Sequence, residues 1–188
     1  AGPKTFAAAL SNAESILRGL DAGVSAFNRW SFTNRGDLDG QWQLVRTWDI
    51  QQKRYLDNVA IEPAAYYGYG IITRFWIPGG AVLVTDAVAD TLILAQALRG
   101  AEGEITIYIV NKGRSASAVT VMVSGGGSSD RKLYRYVAAE ETVDRPDYRM
   151  DPIPVIQRSG EPIRVVVPAR SITTLSSLKM SHEAPARR

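Results

Sequence analysis

Side chains able to do covalent or acid–base chemistry are scarce in this sequence. One histidine, His182, and no cysteine occur among 188 residues. Without a thiolate there is no disulfide framework, thiol nucleophile, cysteine-ligated zinc site or cysteine-held iron–sulfur cluster. His182 sits in a polar C-terminal stretch, so a Ser/His/Asp triad or a two-histidine metal site would have to be assembled on a fraying end. Asn34, Asp37 and Asp39 with Gly40 place oxygen ligands at alternating positions, as a calcium loop does, but the closing bidentate glutamate is missing and an ordinary loop is the simpler reading. Asp37 and Asp39 are too close in sequence to sit on opposite sides of one scissile bond. Gly68-x-Gly70 lacks the third glycine and the preceding strand of a dinucleotide-binding turn. Ser176 and Lys179 have serine–lysine spacing but end a strand, where that chemistry requires a helix. The composition implies no cofactor and no metal.

Charge and hydropathy narrow the partners. Lysine and arginine number 22 against 19 aspartates and glutamates, a formal net charge of +3. The basic residues are spread out, with Arg131, Lys132 and Arg135 as the densest internal group, which is not the stripe that nucleic acid requires. No apolar run approaches the length of a membrane span, and the first residues, Ala-Gly-Pro-Lys, are not a signal peptide. The chain also starts without methionine, which suggests a processed or truncated product.

The elements that must position any site follow from periodicity. Phe6, Leu10, Ala13, Ile16, Leu17 and Leu20 recur at spacings of three and four, predicting a helix over 5–20 that Gly23 terminates. The aromatic and β-branched run Val24–Phe32 predicts a strand directly after it, with Val24, Ala26, Asn28 and Trp30 on one side. A polar loop over 33–40 leads to a short strand or ordered excursion over 42–48. Glu62-Pro63 opens a second helix, with Ala65, Tyr66, Tyr69, Ile72 and Trp76 at helical spacing and Pro78-Gly79-Gly80 closing it. From residue 81 onward, short β-rich segments follow at 81–85, 91–97, 104–110, 118–123, 132–137, 154–156, 163–167 and 171–178. Turn signals such as Asn111-Lys112-Gly113 and Gly125-Gly126-Gly127-Ser128 separate them, the pattern of an antiparallel β-sandwich. A disordered tail is expected over 181–188.

Helix, strand, loop and helix cannot close a parallel sheet alone, because a lone parallel strand leaves its backbone groups unpaired. The segments Ala22–Phe32, Gly40–Leu44 and Tyr66–Gly70 with Arg74-Phe75 resemble the last strand and last helix of a clan A glycoside hydrolase barrel. Val166–Leu175 is similar to the final strands of the sandwich that accompanies such barrels. The resemblance is to family 30, with galactocerebrosidase-like and family 39-like relatives. It implies the last quarter of a (β/α)8 TIM barrel over 1–80, an antiparallel β-sandwich over 81–180, and a secreted, periplasmic or lysosome-like location.

What this resemblance implies about chemistry is specific. Such enzymes use two glutamates about 5 Å apart in a retaining double displacement. They end the fourth and seventh barrel strands, both of which would precede Ala1, so no residue of this chain takes either role. The partners implied are an N-terminal barrel segment of the same enzyme and a carbohydrate substrate. Trp30 matches an aromatic that floors the sugar subsite, and an indole plane suits the C–H face of a pyranose. Asn28 and Arg29 flank it as substrate-binding candidates, Asn28 able to hydrogen-bond a hydroxyl. Trp42, together with Trp48, lies in the insertion between strand and helix, at the rim where barrel sites form. Trp30 packed under the final loop is the plainer alternative, and Tyr66, Tyr67, Tyr69 and Trp76 read as core where helix meets sandwich. A competing function is a non-catalytic carbohydrate-binding or structural β-sandwich module. The scarcity of aromatics after residue 80, with no tryptophan there, argues against it.

Overall fold

The computed structural model describes residues 2, 4–29, 31–33, 43–49, 51–85, 91–124 and 130–180. Helix α1 (Phe6–Asp21) starts where the Thr5 hydroxyl accepts from the Ala8 amide, and it buries the stripe Phe6, Ala9, Leu10, Ala13, Ile16, Leu17 and Leu20. It stops as expected at Gly23, whose φ of +83° suits a residue without a Cβ. There the Val24 amide reaches the Gly19 carbonyl at 2.8 Å and the Gly23 amide reaches that of Leu20 at 3.0 Å. A β-hairpin, β1 (Val45–Asp49) and β2 (Arg54–Ile61), precedes α2 (Pro63–Thr73), whose proline occupies the first helical turn.

Eight strands follow: β3 (Ala81–Leu83), β4 (Ile93–Arg99), β5 (Ile105–Asn111), β6 (Ser117–Val121), β7 (Arg131–Ala139), β8 (Ile153–Gln157), β9 (Ile163–Val167) and β10 (Ser171–Ser176). Each of the eight β-rich segments of the sequence holds one. Six of them form an antiparallel sheet in the order β3-β4-β5-β10-β7-β8, and β6 pairs with β9 in a second, two-stranded sheet. Strand periodicity divides the side chains between two apolar layers. Ala97, Ile105, Ile107, Ile109, Leu133 and Leu175 meet Ile163, Val165 and Val167 of the smaller sheet. Leu98, Tyr108, Val110, Tyr136, Ala138 and Ile172 meet α1 and α2 on the other side. Strands β5 and β10 are therefore buried along their whole length, which is why they read as continuous rather than alternating runs.

Buried polar groups lock these layers in register. The Tyr108 hydroxyl donates to the Ile72 carbonyl at 3.0 Å, and the Thr174 hydroxyl donates to the Ile71 carbonyl at 2.9 Å. Both carbonyls belong to the last turn of α2, where helical partners run out. The sequence pattern carried this helix on toward residue 76. It ends at Thr73 because the chain tightens there, with the Phe75 amide reaching Ile72 and the Trp76 amide reaching Thr73. The two helices touch where neither has bulk: a Cβ added to Gly68 would lie 2.5 Å from that of Ala9. Lys112, just past β5, bonds both oxygens of Glu14 on α1 at 3.0 Å. Hydrogen bonds from Arg18 and Lys112 hold the Glu14 carboxyl below the usual glutamate range.

At one end of the large sheet, buried Asn111 ties two loops together, β5–β6 and β9–β10. Its amide donates to the carbonyls of Ser115 at 2.9 Å and Pro168 at 2.8 Å, and its own oxygen accepts from the Gly113 amide at 2.8 Å. Arg170, left-handed at φ +43°, is held there by an ion pair with Glu140 and by its amide bonding Gly113 at 2.9 Å.

Two expectations need correction. Residues 24–29 belong to no strand, since none of the described strands lies beside them to complete a ladder. The hairpin strand β2 was not anticipated, because Arg54–Ile61 mixes charged and apolar residues and its turn lacks a glycine signal. The tail over 181–188 and most of the 33–40 loop, with Asn34, Asp37 and Asp39, lie outside the described residues.

Adjacent threonines give a test of this packing. Thr174 is satisfied by Ile71, whereas the buried Thr173 hydroxyl, on the opposite face of β10, has no hydrogen-bond partner among the described residues. Thr174→Val should lower stability by about 1–3 kcal/mol through an orphaned carbonyl, and Thr173→Val should raise it by on the order of 1 kcal/mol. Urea unfolding midpoints of the two variants should move in opposite directions.

Candidate functional site

The segment that follows α1 holds three of the four sugar-contact candidates. Its course is set by Phe27, which packs edge-to-face against Trp76 with ring centroids 6.4 Å apart. Phe27 fits because residue 19 is glycine: a Cβ there would come within 2.5 Å of the ring. Beyond this anchor Asn28 is exposed, and Arg29 is half-buried with its guanidinium 5.9 Å from the centre of the Tyr69 ring. The backbone then runs beside the base of the hairpin. Leu44 donates to the Ser31 and Phe32 carbonyls at 3.2 and 3.1 Å, Val45 donates to Phe32 at 2.9 Å, and the hydroxyls of Thr33 and Thr47 lie 3.2 Å apart.

The start of α2 closes the other side. Glu62 receives Lys4 at 3.0 Å and the Gln43 amide at 3.4 Å, and its own backbone N–H donates to Leu44 at 2.9 Å. Leu44, Val45 and Ala65 form a small apolar cluster against Tyr66 and Tyr69. Thus Asn28 and Arg29, the 31–33 strip, the hairpin base and the start of α2 are tied into one surface.

Trp30 and Trp42 lie outside the described residues. Trp48 is described, and it faces Tyr55 across the hairpin with ring centroids 4.9 Å apart and planes at 84°. Tyr55 was missed at the sequence level, because without β2 nothing paired it with Trp48. Tyr67, Tyr69 and Trp76 pack against the main core as their helical spacing implied, and Tyr66 joins the cluster around Leu44. Tyr67 meets Tyr148 at 4.6 Å, and the Arg74 guanidinium donates to the Tyr66 hydroxyl at 2.7 Å. Burial pushes the Tyr148 hydroxyl well above its ordinary pKa while it donates to the Val137 carbonyl, which suits a structural rather than acid–base group. Among the described residues no three carboxylates, histidines or cysteines converge on a point that could hold a metal, and no helix is long and apolar enough to cross a membrane.

No protein-family model and no curated protein matches this sequence. Solved structures do match. A family 30 subfamily 8 xylanase from Clostridium acetobutylicum superposes with a TM-score of 0.68 at 14% identity, over 92% of this chain and 39% of that one. The chain shares its fold with part of the family 30 xylanases. A family 30 endoxylanase from Clostridium papyrosolvens matches 62% of this chain at 24% identity and a TM-score of 0.50, using 28% of its own length. The catalytic domain of family 30 xylanase C from Talaromyces cellulolyticus matches 73% at 16% identity and a TM-score of 0.54, again with 28% of its length. This chain therefore spans well under half the length of each of these relatives in fold.

Because Gly19 makes room for Phe27, the position of Asn28 and Arg29 depends on a helix residue nine positions upstream of the nearer of them. Gly19→Ala should expel the Phe27 ring while leaving α1 intact, since alanine is the better helix former. Near-UV circular dichroism should lose the Phe27–Trp76 signal while the far-UV helical signal persists; an unchanged near-UV spectrum would show that Phe27 is not seated by Gly19.

Proposed function

We propose that these 188 residues are the C-terminal portion of a retaining glycoside hydrolase that cleaves O-glycosidic bonds. The observation that carries this reading is the asymmetry of the fold match: 92% of this chain corresponds to only 39% of a family 30 xylanase. In this reading α1, the 24–33 segment and α2 are the last quarter of a TIM barrel, and the two sheets form the accompanying sandwich. The course of residues 24–29 supports it. They run between two helices, tethered by Phe27, yet join no described sheet, as suits a barrel strand whose parallel neighbours come from an upstream segment.

The division of labour follows. Both glutamates, the acid/base and the nucleophile, come from the N-terminal barrel segment, and displacement at the anomeric carbon proceeds in two steps with net retention. This chain supplies the floor and wall of the sugar subsite. Trp30 offers the apolar plane for a pyranose, Asn28 and Arg29 offer hydrogen bonds to hydroxyls, and Trp42 lines the rim. Arg29, with its guanidinium over Tyr69, approaches the site with restricted freedom, so a contact it makes costs less side-chain entropy than one from a free arginine. The enzyme is secreted or delivered to a periplasmic or lysosome-like compartment in this reading.

The isolated chain should hydrolyse neither aryl glycosides nor xylan, and activity should return when it is co-expressed with its N-terminal barrel segment. Robust turnover by the isolated chain would overturn the reading. In the reunited enzyme Trp30→Ala should lower kcat/KM at least tenfold, about 1.4 kcal/mol of transition-state stabilisation; an unchanged value would assign Trp30 to packing.

A further inference from the structure

The densest internal basic group of the sequence, Arg131, Lys132 and Arg135, takes no part in the sugar-contact surface. All three lie on β7 next to β8, and β8 ends the six-stranded sheet with no described strand beyond it. The register sets Arg131 opposite Gln157, Lys132 opposite Ile156 and Arg135 opposite Ile153, so cations stand on both faces of the sheet. Lys179, just past β10, joins Lys132: both ammoniums lie over the Tyr134 ring, 5.5 and 5.7 Å from its centre. Arg158 extends the group one residue past β8 and is exposed. The ion pairs among the described residues join Lys4 to Glu62, Arg18 and Lys112 to Glu14, Arg54 to Asp57 and Arg170 to Glu140, and none reaches this corner. Asp130, the adjacent carboxylate, accepts from the Ser159 amide at 3.0 Å. Two apolar side chains on β8 are also left bare: Ile153 is 46% exposed on one face and Ile156 is 60% exposed on the other.

A free sheet edge presents unpaired amides and carbonyls, and charge and proline on such an edge discourage indiscriminate pairing. These cations and Pro154 serve that purpose against a second copy of the chain, whose own edge would bring like charges together. They leave bare isoleucine on both faces unexplained. We propose that β8 is the docking edge for an extended acidic segment of a partner polypeptide, which adds to the sheet as a further strand. Main-chain hydrogen bonds hold the segment, its apolar side chains cover Ile153 and Ile156, and its carboxylates meet the cations of β7 across β8. The added strand lies two strand spacings from β7, about 10 Å, which an extended arginine or lysine and a glutamate cover together. Pro154 has no N–H, so the partner bonds to the other residues of the edge. An acidic strand is drawn to this corner and a basic one is repelled, so charge sets the choice of partner. The corner shares no residue with the sugar-contact surface, and the inference is independent of the glycosidase reading.

The test is fluorescence anisotropy of the 188-residue chain with labelled peptides of roughly ten residues, in which pairs of glutamates alternate with pairs of valines. Each face of such a strand carries both residue types, as each face of the docking edge carries cations and an isoleucine. The peptide should bind with a Kd of about 100 μM or tighter at low salt, and a version with lysine for glutamate should bind about tenfold or more weakly. N-methylation at alternate residues, which removes backbone donors and keeps every charge, should weaken binding about tenfold or more. Lys132→Glu combined with Arg158→Glu, both at exposed positions, should do the same, and Arg114→Glu, an exposed cation between β5 and β6, should change little. The proposal fails if the acidic and basic peptides bind alike, if N-methylation changes nothing, or if the Lys132/Arg158 and Arg114 variants behave alike. Tighter binding of polygalacturonate or phosphatidylserine vesicles than of the peptide would assign the corner to an anionic polymer or surface and overturn the proposal. Dimerisation of the chain in sedimentation, abolished by Ile156→Lys, would give the edge to a second copy and overturn it as well.

Discussion

Two hydroxyls decide how this molecule is assembled. Tyr108 and Thr174 project from neighbouring central strands and donate to the consecutive carbonyls Ile72 and Ile71 at the end of α2. Neither hydroxyl can reach water, so each must find a protein partner, and the two carbonyls at the end of α2 supply it. Apolar packing alone would let a helix slide over a sheet, because the hydrophobic effect is not directional. These bonds are directional and fix where α2 stops. Fixing α2 fixes α1, which approaches it through Gly68 and Ala9 with no side chain to spare. The end of α1 in turn launches the 24–33 segment, through the Gly23 turn and the seat that Gly19 provides for Phe27. The candidate surface thus depends on contacts made in the interior of the sheet.

That dependence explains which parts were legible in the sequence. Elements whose burial has one period were read directly: the α1 stripe, the proline start of α2 and the eight segments after residue 80, including the glycine stop at Gly23. The strand expected over Val24–Phe32 has the composition of a strand, but pairing is a property of neighbours, and no described strand lies beside it. The β1–β2 hairpin escaped because its stabilising turn is built from Asp49, Gln51, Gln52 and a left-handed Lys53 rather than from an Asn-Gly pair. With β2 unseen, Trp48 was read without its cross-strand partner Tyr55. The Tyr108 and Thr174 anchors were equally out of reach, since residues 36 and 103 positions apart meet there only through tertiary structure.

The carboxylates of the chain bear on its role. A glycosidase acid needs a raised pKa, which comes from apolar burial or a nearby like charge. Among the described residues no aspartate or glutamate is buried. Glu14 is pulled in the opposite direction by Arg18 and Lys112, Glu62 is engaged by Lys4, and Glu140 is paired with Arg170. These acids are spent on joining elements: α1 to the end of β5, the start of α2 to the residues before α1, and the β7 and β10 ends to each other. A carboxyl held ionised, as that of Glu14 is by Arg18 and Lys112, is a poor proton donor at neutral pH.

Aromatic planes with restricted motion recur around the 24–33 strip: Tyr69 under Arg29, Trp76 against Phe27, and Trp48 against Tyr55. Each is positioned by a second aromatic or a cation, so little conformational entropy is left to lose when a ligand arrives. The α2 anchors to Tyr108 and Thr174 hold the helices that carry Tyr69 and the Phe27 seat in place on the sheet.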